Sequence, residues 1–223
     1  MLREEAIWLG QQLDKLDPRN IYPMCNLGSA TLQFRTVDQP YIDAELFARA
    51  RALGHEVIHV DMKAAPGVDV VGDISDYDLV TRLRQKKFKS VMCCNILEHV
   101  VDREKFSDII MSFVEPGGYI IASVPNDFPY HEDPIDTMFR PEISDVAKLF
   151  PGTEIVSAKI VRASSFENDM KGSWRAAFWL AVRVCFPIYR PRRWIISVRY
   201  IRTLWRGYRA TCIILQRPPL VSA

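Results

Sequence analysis

The chain has 223 residues, 48% hydrophobic and 25% charged, with a formal net charge of +2, which suits one globular domain with a substantial core and excludes a fibrous or low-complexity polymer. Its five cysteines are odd in number and sit mostly in apolar runs, which points to reduced thiols in the cytoplasm and away from a disulfide framework; adjacent Cys93-Cys94 lacks the spacing of a zinc site. The opening Met1-Leu2-Arg3-Glu4-Glu5 lacks the regions of a signal peptide, and no apolar run approaches the ~18 residues of a membrane-spanning helix.

Residues 3–16 hold Ile7, Trp8, Gln11 and Leu13 among Glu and Lys, which predicts an amphipathic helix ended near Asp17-Pro18. Ile21 to Leu27 reads as a first core strand, followed by Gly28-Ser29. Ile42, Leu46, Phe47 and Ala50 share one face of a helix predicted over 38–53, with Gly54 as its C-cap. Glu56 to Val60 predicts the second strand, ending on Asp61, and Gly67 to Val71 a short third one. A helix is expected at about 77–86. The apolar run from Val91 predicts a buried strand. Phe106, Ile109, Ile110 and Phe113 then form a helical stripe, Pro116-Gly117-Gly118 reverses the chain, and Tyr119 to Pro125 forms the next strand. Strand, helix and strand in such close succession make a βαβ unit with parallel strands. Asn126 to Arg140 reads as a polar loop, Pro141 opens a helix to Leu149, and Thr153–Arg162 and Ala210–Leu215 are strand signals. The alternation implies an open α/β sheet with helices on both faces.

Asn95-Ile-Leu-Glu-His-Val-Val-Asp102, then a helix, then Glu115-Pro-Gly-Gly-Tyr-Ile120, resembles the class I S-adenosylmethionine-dependent methyltransferases. The likeness is to the type 11 branch, with its "LEHV" and "PGG" motifs, and covers roughly residues 20–160. It implies a Rossmann-like, doubly wound sheet of seven strands closed by a C-terminal antiparallel hairpin strand, with S-adenosylmethionine as cofactor. The chain departs from the family after its first strand: the usual glycine-rich stretch reads Cys25-Asn-Leu-Gly-Ser-Ala-Thr31, with one glycine.

Ligands of open α/β sheets bind beyond the carboxyl ends of the strands, where strand order reverses. The residues there are Asn26, Leu27, Gly28 and Ser29, then Asp61 with Met62, then Asp73 with Ile74, then Asn95. Asp61 can accept both hydroxyls of a ribose, the role the resemblance also gives it, or it can cap a turn. Asp73 can accept from an adenine amine while Ile74 packs on the ring, or it can be a turn residue. Gly28 permits close backbone approach to the methionine portion. In a minority of relatives a Glu-x-x-Glu-His arrangement holds a divalent metal; Asn95 stands at its first position, one carboxylate is missing, and no metal is expected. The loop Pro129-Tyr-His-Glu-Asp-Pro-Ile-Asp136 supplies His131 as candidate base, with Asp136 as its catalytic companion. A solvated acidic loop with a paired histidine is the plainer alternative.

From Lys171 onward there are 11 cations and no Asp or Glu, a division that speaks of partners more than of fold. The chain is read as a single 1–223 domain, and all of these cations but Arg217 fall within a helical insertion expected at 163–209 between the last two strands. Trp194, Val198, Ile201 and Trp205 share one helical face and Arg199, Arg202 and Arg206 another. That pattern suits a lid with peripheral contact at the inner face of the membrane. No DNA- or RNA-binding signature accompanies it. The function expected is O-methylation of a small or lipid-linked acceptor, such as a sugar in glycan assembly. The rivals are a methyltransferase-like binding protein without catalysis and a membrane-docked interaction module. Acceptor identity and oligomeric state are not legible.

Overall fold

The computed structural model describes residues 1–131, 135–163 and 207–219, and Val182 besides. Strands β1 (Met24–Leu27), β2 (Val57–Asp61), β3 (Val70–Val71), β4 (Phe88–Cys94), β5 (Val114–Asp127), β6 (Glu154–Ala163) and β7 (Tyr208–Gln216) form one sheet in the order β3-β2-β1-β4-β5-β7-β6. The first five run parallel, and β7 runs antiparallel to both β5 and β6. This is the expected doubly wound sheet with its closing antiparallel strand. Chain order reverses between β1 and β4, whose register sets Met24 opposite Ser90 and Leu27 opposite Cys93.

Successive side chains of a strand point to opposite faces, and the sheet accordingly divides two cores. On one face Cys25, Val91, Cys93, Ile120 and Ala122 meet helices α4 (Tyr77–Arg84) and α5 (Arg103–Phe113). On the other, Met24, Met92, Ile121, Cys212 and Ile214 meet α1 (Arg3–Leu13) and the segment that bears Ile42, Leu46 and Phe47. Asp76 and Asp102 cap α4 and α5 by accepting from the backbone N–H of Asp78 and Lys105. Among the described residues Cys25, Cys93, Cys94 and Cys212 are free thiols, and burial pushes those of Cys25 and Cys93 up to about 12.

Three elements differ from expectation. The helix expected over 38–53 is broken: wide π turns at Phe34–Asp38 and Asp43–Phe47 alternate with α2 (Pro40–Ile42) and α3 (Ala48–Ala52). Pro40 cannot donate to the preceding turn, so Gln39 N–H reaches back to Phe34 O at 2.8 Å. The apolar face is nonetheless kept, with Ile42, Leu46, Phe47 and Ala50 all buried. Pro116-Gly117-Gly118 does not reverse the chain; it lies inside β5, at a register shift opposite Phe88 and Ser90. A side chain at Gly118 would begin 2.3 Å from Lys89 O, so glycine lets β4 approach. β1 begins at Met24, since the residues before it include a 3-10 turn at Pro18–Asn20.

Ala163 of β6 pairs with Tyr208 of β7, so the chain leaves and re-enters the sheet at one point. The expected insertion at 163–209 gives Ala163, Tyr208 and Arg209 to these strands. The expected amphipathic helices with Trp194, Val198, Ile201, Trp205, Arg199, Arg202 and Arg206 lie outside the described residues. Among the described residues no helix is long and apolar enough to cross a membrane.

Candidate functional site

A cleft of about 1570 Å³ opens at the carboxyl ends of β1, β2 and β4. Asn26, Leu27, Gly28, Ser29, Asp61, Met62, Asp73, Ile74 and Asn95 all line it, and so does His131. Asp136 is not among the lining residues.

The first wall is the turn after β1. Gly28 and Ala30 both take left-handed φ, at 63° and 53°. Ser29 N–H donates to Val60 O at 3.1 Å, and Ala30 N–H to Asp61 Oδ2 at 2.8 Å. Asp61 Oδ1 accepts from Lys63 N–H at 3.0 Å, so one carboxylate ties the β1 turn to the end of β2. Each oxygen keeps a lone pair for a ligand. The carbonyls of this turn are gathered by Arg35, which is only 2% exposed. It donates to Ser29 O (2.8 Å), Ala30 O (2.7 Å) and Gly67 O (2.8 Å). Burial pulls the Arg35 guanidinium down from its usual range, while the charges of Asp43, Asp69 and Asp61 oppose this. The space beside Gly28 is taken by the chain itself: a Cβ there would lie 2.7 Å from Ile96 Cδ1. Glycine is therefore required by φ and by Ile96.

Asp73 is exposed, with Oδ1 accepting from Ser75 N–H at 2.8 Å, while Ile74 packs on the core. Asn26 and Asn95 direct their amides inward. Asn26 Nδ2 donates to His59 Nδ1 at 3.0 Å; burial, seconded by the Arg35 charge, pushes that imidazole down to about 4, so it is neutral and can accept. Asn95 Nδ2 donates to Glu5 Oε1 at 2.8 Å. Glu5 is fully buried and also accepts from Leu2 N–H at 2.9 Å and from the Ser123 hydroxyl, which fixes the start of α1 on the tips of β4 and β5.

The second wall follows β4. A 3-10 turn, Leu97–His99, presents Glu98 and His99. Glu98 is 0% exposed, and neither carboxylate oxygen has a hydrogen-bond partner among the described residues. Desolvation, with the Glu5 and Asp136 charges, raises its carboxyl to about 7, against a backbone hydrogen bond and Arg140. His99 Nε2 lies 3.8 Å from Glu98 Oε1, and His99 Nδ1 sits 2.6 Å from Ile135 O. The His131 ring stands edge-on to that of His99 at 5.3 Å.

Asp136 is the anchor of this wall. It takes two hydrogen bonds from Arg140, at 3.0 and 2.6 Å, and one each from the N–H of Met138 (2.8 Å) and of His131 (3.1 Å). Burial pushes its carboxyl up, but the Arg140 hydrogen bonds, the two backbone donors and the Arg140 charge together hold it well below the usual range. It is thus a poor proton acceptor and a good tether. His131 Nδ1 lies 3.2 Å from Asp136 Oδ2 without forming a hydrogen bond, and it has no hydrogen-bond partner among the described residues. Glu132 and Asp133, the other carboxylates of the expected loop, lie outside the described residues.

Nothing in the sequence marks Glu5, Arg35 or His59 as catalytic or binding, whereas Glu98 stands in the Glu-x-x-Glu-His pattern that lacks its first carboxylate.

No family model matches the chain, and no curated protein matches it. Among solved structures, coclaurine N-methyltransferase bound to N-methylheliamine and SAH is similar at 12% identity, over 94% of this chain and 69% of that one, with a TM-score of 0.52. A Galdieria sulphuraria protein provisionally assigned as a sarcosine dimethylglycine methyltransferase matches at 12% identity over 96% and 85%, with a TM-score of 0.51. The StiE O-MT chain matches at 12% identity over 92% and 71%, with a TM-score of 0.51. What this chain shares with these methyltransferases is the fold, a seven-stranded Rossmann-like sheet with antiparallel strands at its C-terminal edge.

Proposed function

We propose that the protein is an S-adenosylmethionine-dependent methyltransferase acting on a hydroxyl of a small or lipid-linked acceptor, such as a sugar. The observation that carries this reading is the cleft at the switch point, where all nine expected cofactor residues meet. When bound, the cofactor supplies an electrophilic methyl on a sulfonium. Asp61 would hold the ribose hydroxyls with its remaining lone pairs, and Asp73 Oδ2 would accept from the adenine amine, with Ile74 offering apolar surface to the ring. The cleft volume exceeds the ~300–1,000 Å³ of a typical small-ligand pocket, which leaves room for an acceptor beside the cofactor. An acceptor hydroxyl held there would be aligned with the methyl group, and His131 would take its proton as it becomes the nucleophile. Asp136 positions His131. The arginine- and tryptophan-bearing stretch between β6 and β7 supports an acceptor presented at an anionic lipid surface.

Binding of S-adenosylhomocysteine, measured by calorimetry and by thermal shift, tests the reading; a ligand that binds only the folded state raises the midpoint. Binding weakened tenfold or more in Asp61→Ala is expected. No binding at millimolar ligand overturns it. The contact of Ile96 with Gly28 favours a second reading, a binding protein without catalysis. No thermal shift at millimolar cofactor in the folded protein would decide for that one.

A further inference from the structure

We infer that Glu98, His99 and His131 form a binding site for a divalent first-row transition ion at the floor of the cleft. One ligand atom from each residue lies within 4.8 Å of the others. A tetrahedral set with bonds of ~2.1 Å spans about 3.4 Å, so closure asks only for side-chain rotation. Two imidazoles and one carboxylate select zinc, cobalt, manganese or iron over magnesium and calcium, which prefer all-oxygen sites. Since the Glu-x-x-Glu-His pattern lacks a carboxylate at Asn95, no ion was expected from sequence; His131, from the loop after β5, supplies the third donor from outside that motif.

Three features point to an ion. Glu98 is fully buried, lines the cleft, and has no hydrogen-bond partner on either oxygen among the described residues, an arrangement that natural structures rarely leave without a counterpart. His99 Nδ1 faces Ile135 O and so carries the proton, which leaves a lone pair on Nε2, 3.8 Å from Glu98 Oε1. Two acceptors face each other across a gap that a cation fills. A histidine whose other nitrogen donates to a backbone carbonyl is also the usual form of a metal ligand. The platform is fixed in turn: Thr137 donates from its N–H and its hydroxyl to Glu98 O at 2.9 and 2.8 Å, and Asp136 holds the His131 backbone. The site rests on this geometry and not on methyl transfer. Where both hold, His131 would serve as a ligand in place of a base, and the ion would supply a Lewis acid for the acceptor oxygen.

Metal-free protein is titrated with Zn²⁺ alone, and separately with Co²⁺ alone, by calorimetry and visible absorption. One equivalent should bind, the Co²⁺ complex should show the bands of nitrogen and oxygen ligation, and excess Mg²⁺ should not displace it. Glu98→Gln and His99→Gln should each weaken binding at least tenfold. His55→Gln, whose ring stacks on Tyr22, should leave it unchanged. Absence of a saturable Zn²⁺ or Co²⁺ equivalent in the wild-type chain overturns the site, whatever the folding of the variants. So does binding that both cluster variants retain. Neither result bears on S-adenosylhomocysteine affinity, which is read separately.

Discussion

Glu5 and Glu98 are both fully buried carboxylates beside the same cleft, and their surroundings are opposite. Glu5 receives the Leu2 N–H, the Asn95 amide and the Ser123 hydroxyl; the Glu98 carboxylate has no hydrogen-bond partner in any other described residue. The same holds for the regions around them. On the side of Gly28 and Arg35 the polar groups of the wall are paired with one another, and Asp61 ties the two strands while keeping a lone pair on each oxygen. On the side of Glu98, His99 and His131, acceptors lie beside acceptors. A buried polar group without a partner costs more than a hydrogen bond returns, so the first region is the better-satisfied scaffold and the second is where the ion is proposed. The comparison separates residues that hold the site from residues that act in it.

The largest effect is expected from the scaffold. Arg35→Met removes the clamp that joins Ser29 O and Ala30 O of the β1 turn to Gly67 O of the segment after β2 and should cost about 3 kcal/mol, read as a lower denaturation midpoint in urea at unchanged slope. Arg35→Lys should recover part of this, since an ammonium cannot span all three oxygens in one plane. A loss under ~0.5 kcal/mol would show that the turn stands without its clamp.

Next come the two glutamates, compared directly. Glu5→Ala leaves three donors without an acceptor and should cost about 2–4 kcal/mol. Glu98→Gln in the metal-free protein removes a desolvated carboxylate with no partner to lose, and should change stability by under ~0.5 kcal/mol or raise it. Equal losses from the two would erase the distinction drawn between the regions.

The sheet was legible because its signal is local. Val91 to Cys94 and Tyr119 to Val124 are apolar runs bounded by turn residues, and strands buried on both faces read that way. Asp61 and Asp73 could be placed because a strand end is where sequence position and ligand position coincide. Arg35, Glu5 and Glu98 could not. Each is charged, sits in or beside a helical turn, and would be assigned to solvent by its type. Their burial comes from partners far along the chain, Gly67 for Arg35 and Ser123 for Glu5. The broken helix before β2 has the same origin: its apolar face is written in the sequence, but its pitch follows from Pro40 and from the close approach of Gly10 to Glu45 O.

A pH prediction sharpens the scaffold half of the comparison. The neutral imidazole of His59 accepts from Asn26, with Arg35, Asp69, Asp43 and Arg51 as the charges around it. Its folded value, about 4, lies below the ordinary value of 6.5, so the unfolded chain takes up the proton first as pH falls. Stability should therefore be unaffected by this group above about 6.5 and should fall between about 6.5 and about 4, by on the order of 1–2 kcal/mol after allowance for partial exposure. In His59→Gln, whose side-chain carbonyl can still accept from Asn26, that slope should vanish from a series of denaturation curves. An unchanged slope would place the acid sensitivity elsewhere.

The smallest effect concerns the lone glycine of the β1 turn. Gly28→Ala must hold φ near 63° and bring a methyl within 2.7 Å of the Ile96 side chain. Left-handed backbone costs an alanine about 1 kcal/mol, and the clash adds to it. A further Ile96→Ala change removes the clash but not the backbone cost, so the double variant should regain part of the loss attributable to Gly28, with a coupling of about 0.5 kcal/mol or more in a double-mutant cycle. Additive losses would mean that Ile96 yields freely, and the space beside Gly28 would then be open to a ligand after all. S-adenosylhomocysteine affinity of Ile96→Ala distinguishes the two states: if Ile96 obstructs the cofactor, its removal tightens binding, whereas if it lines the finished wall, binding stays level or weakens.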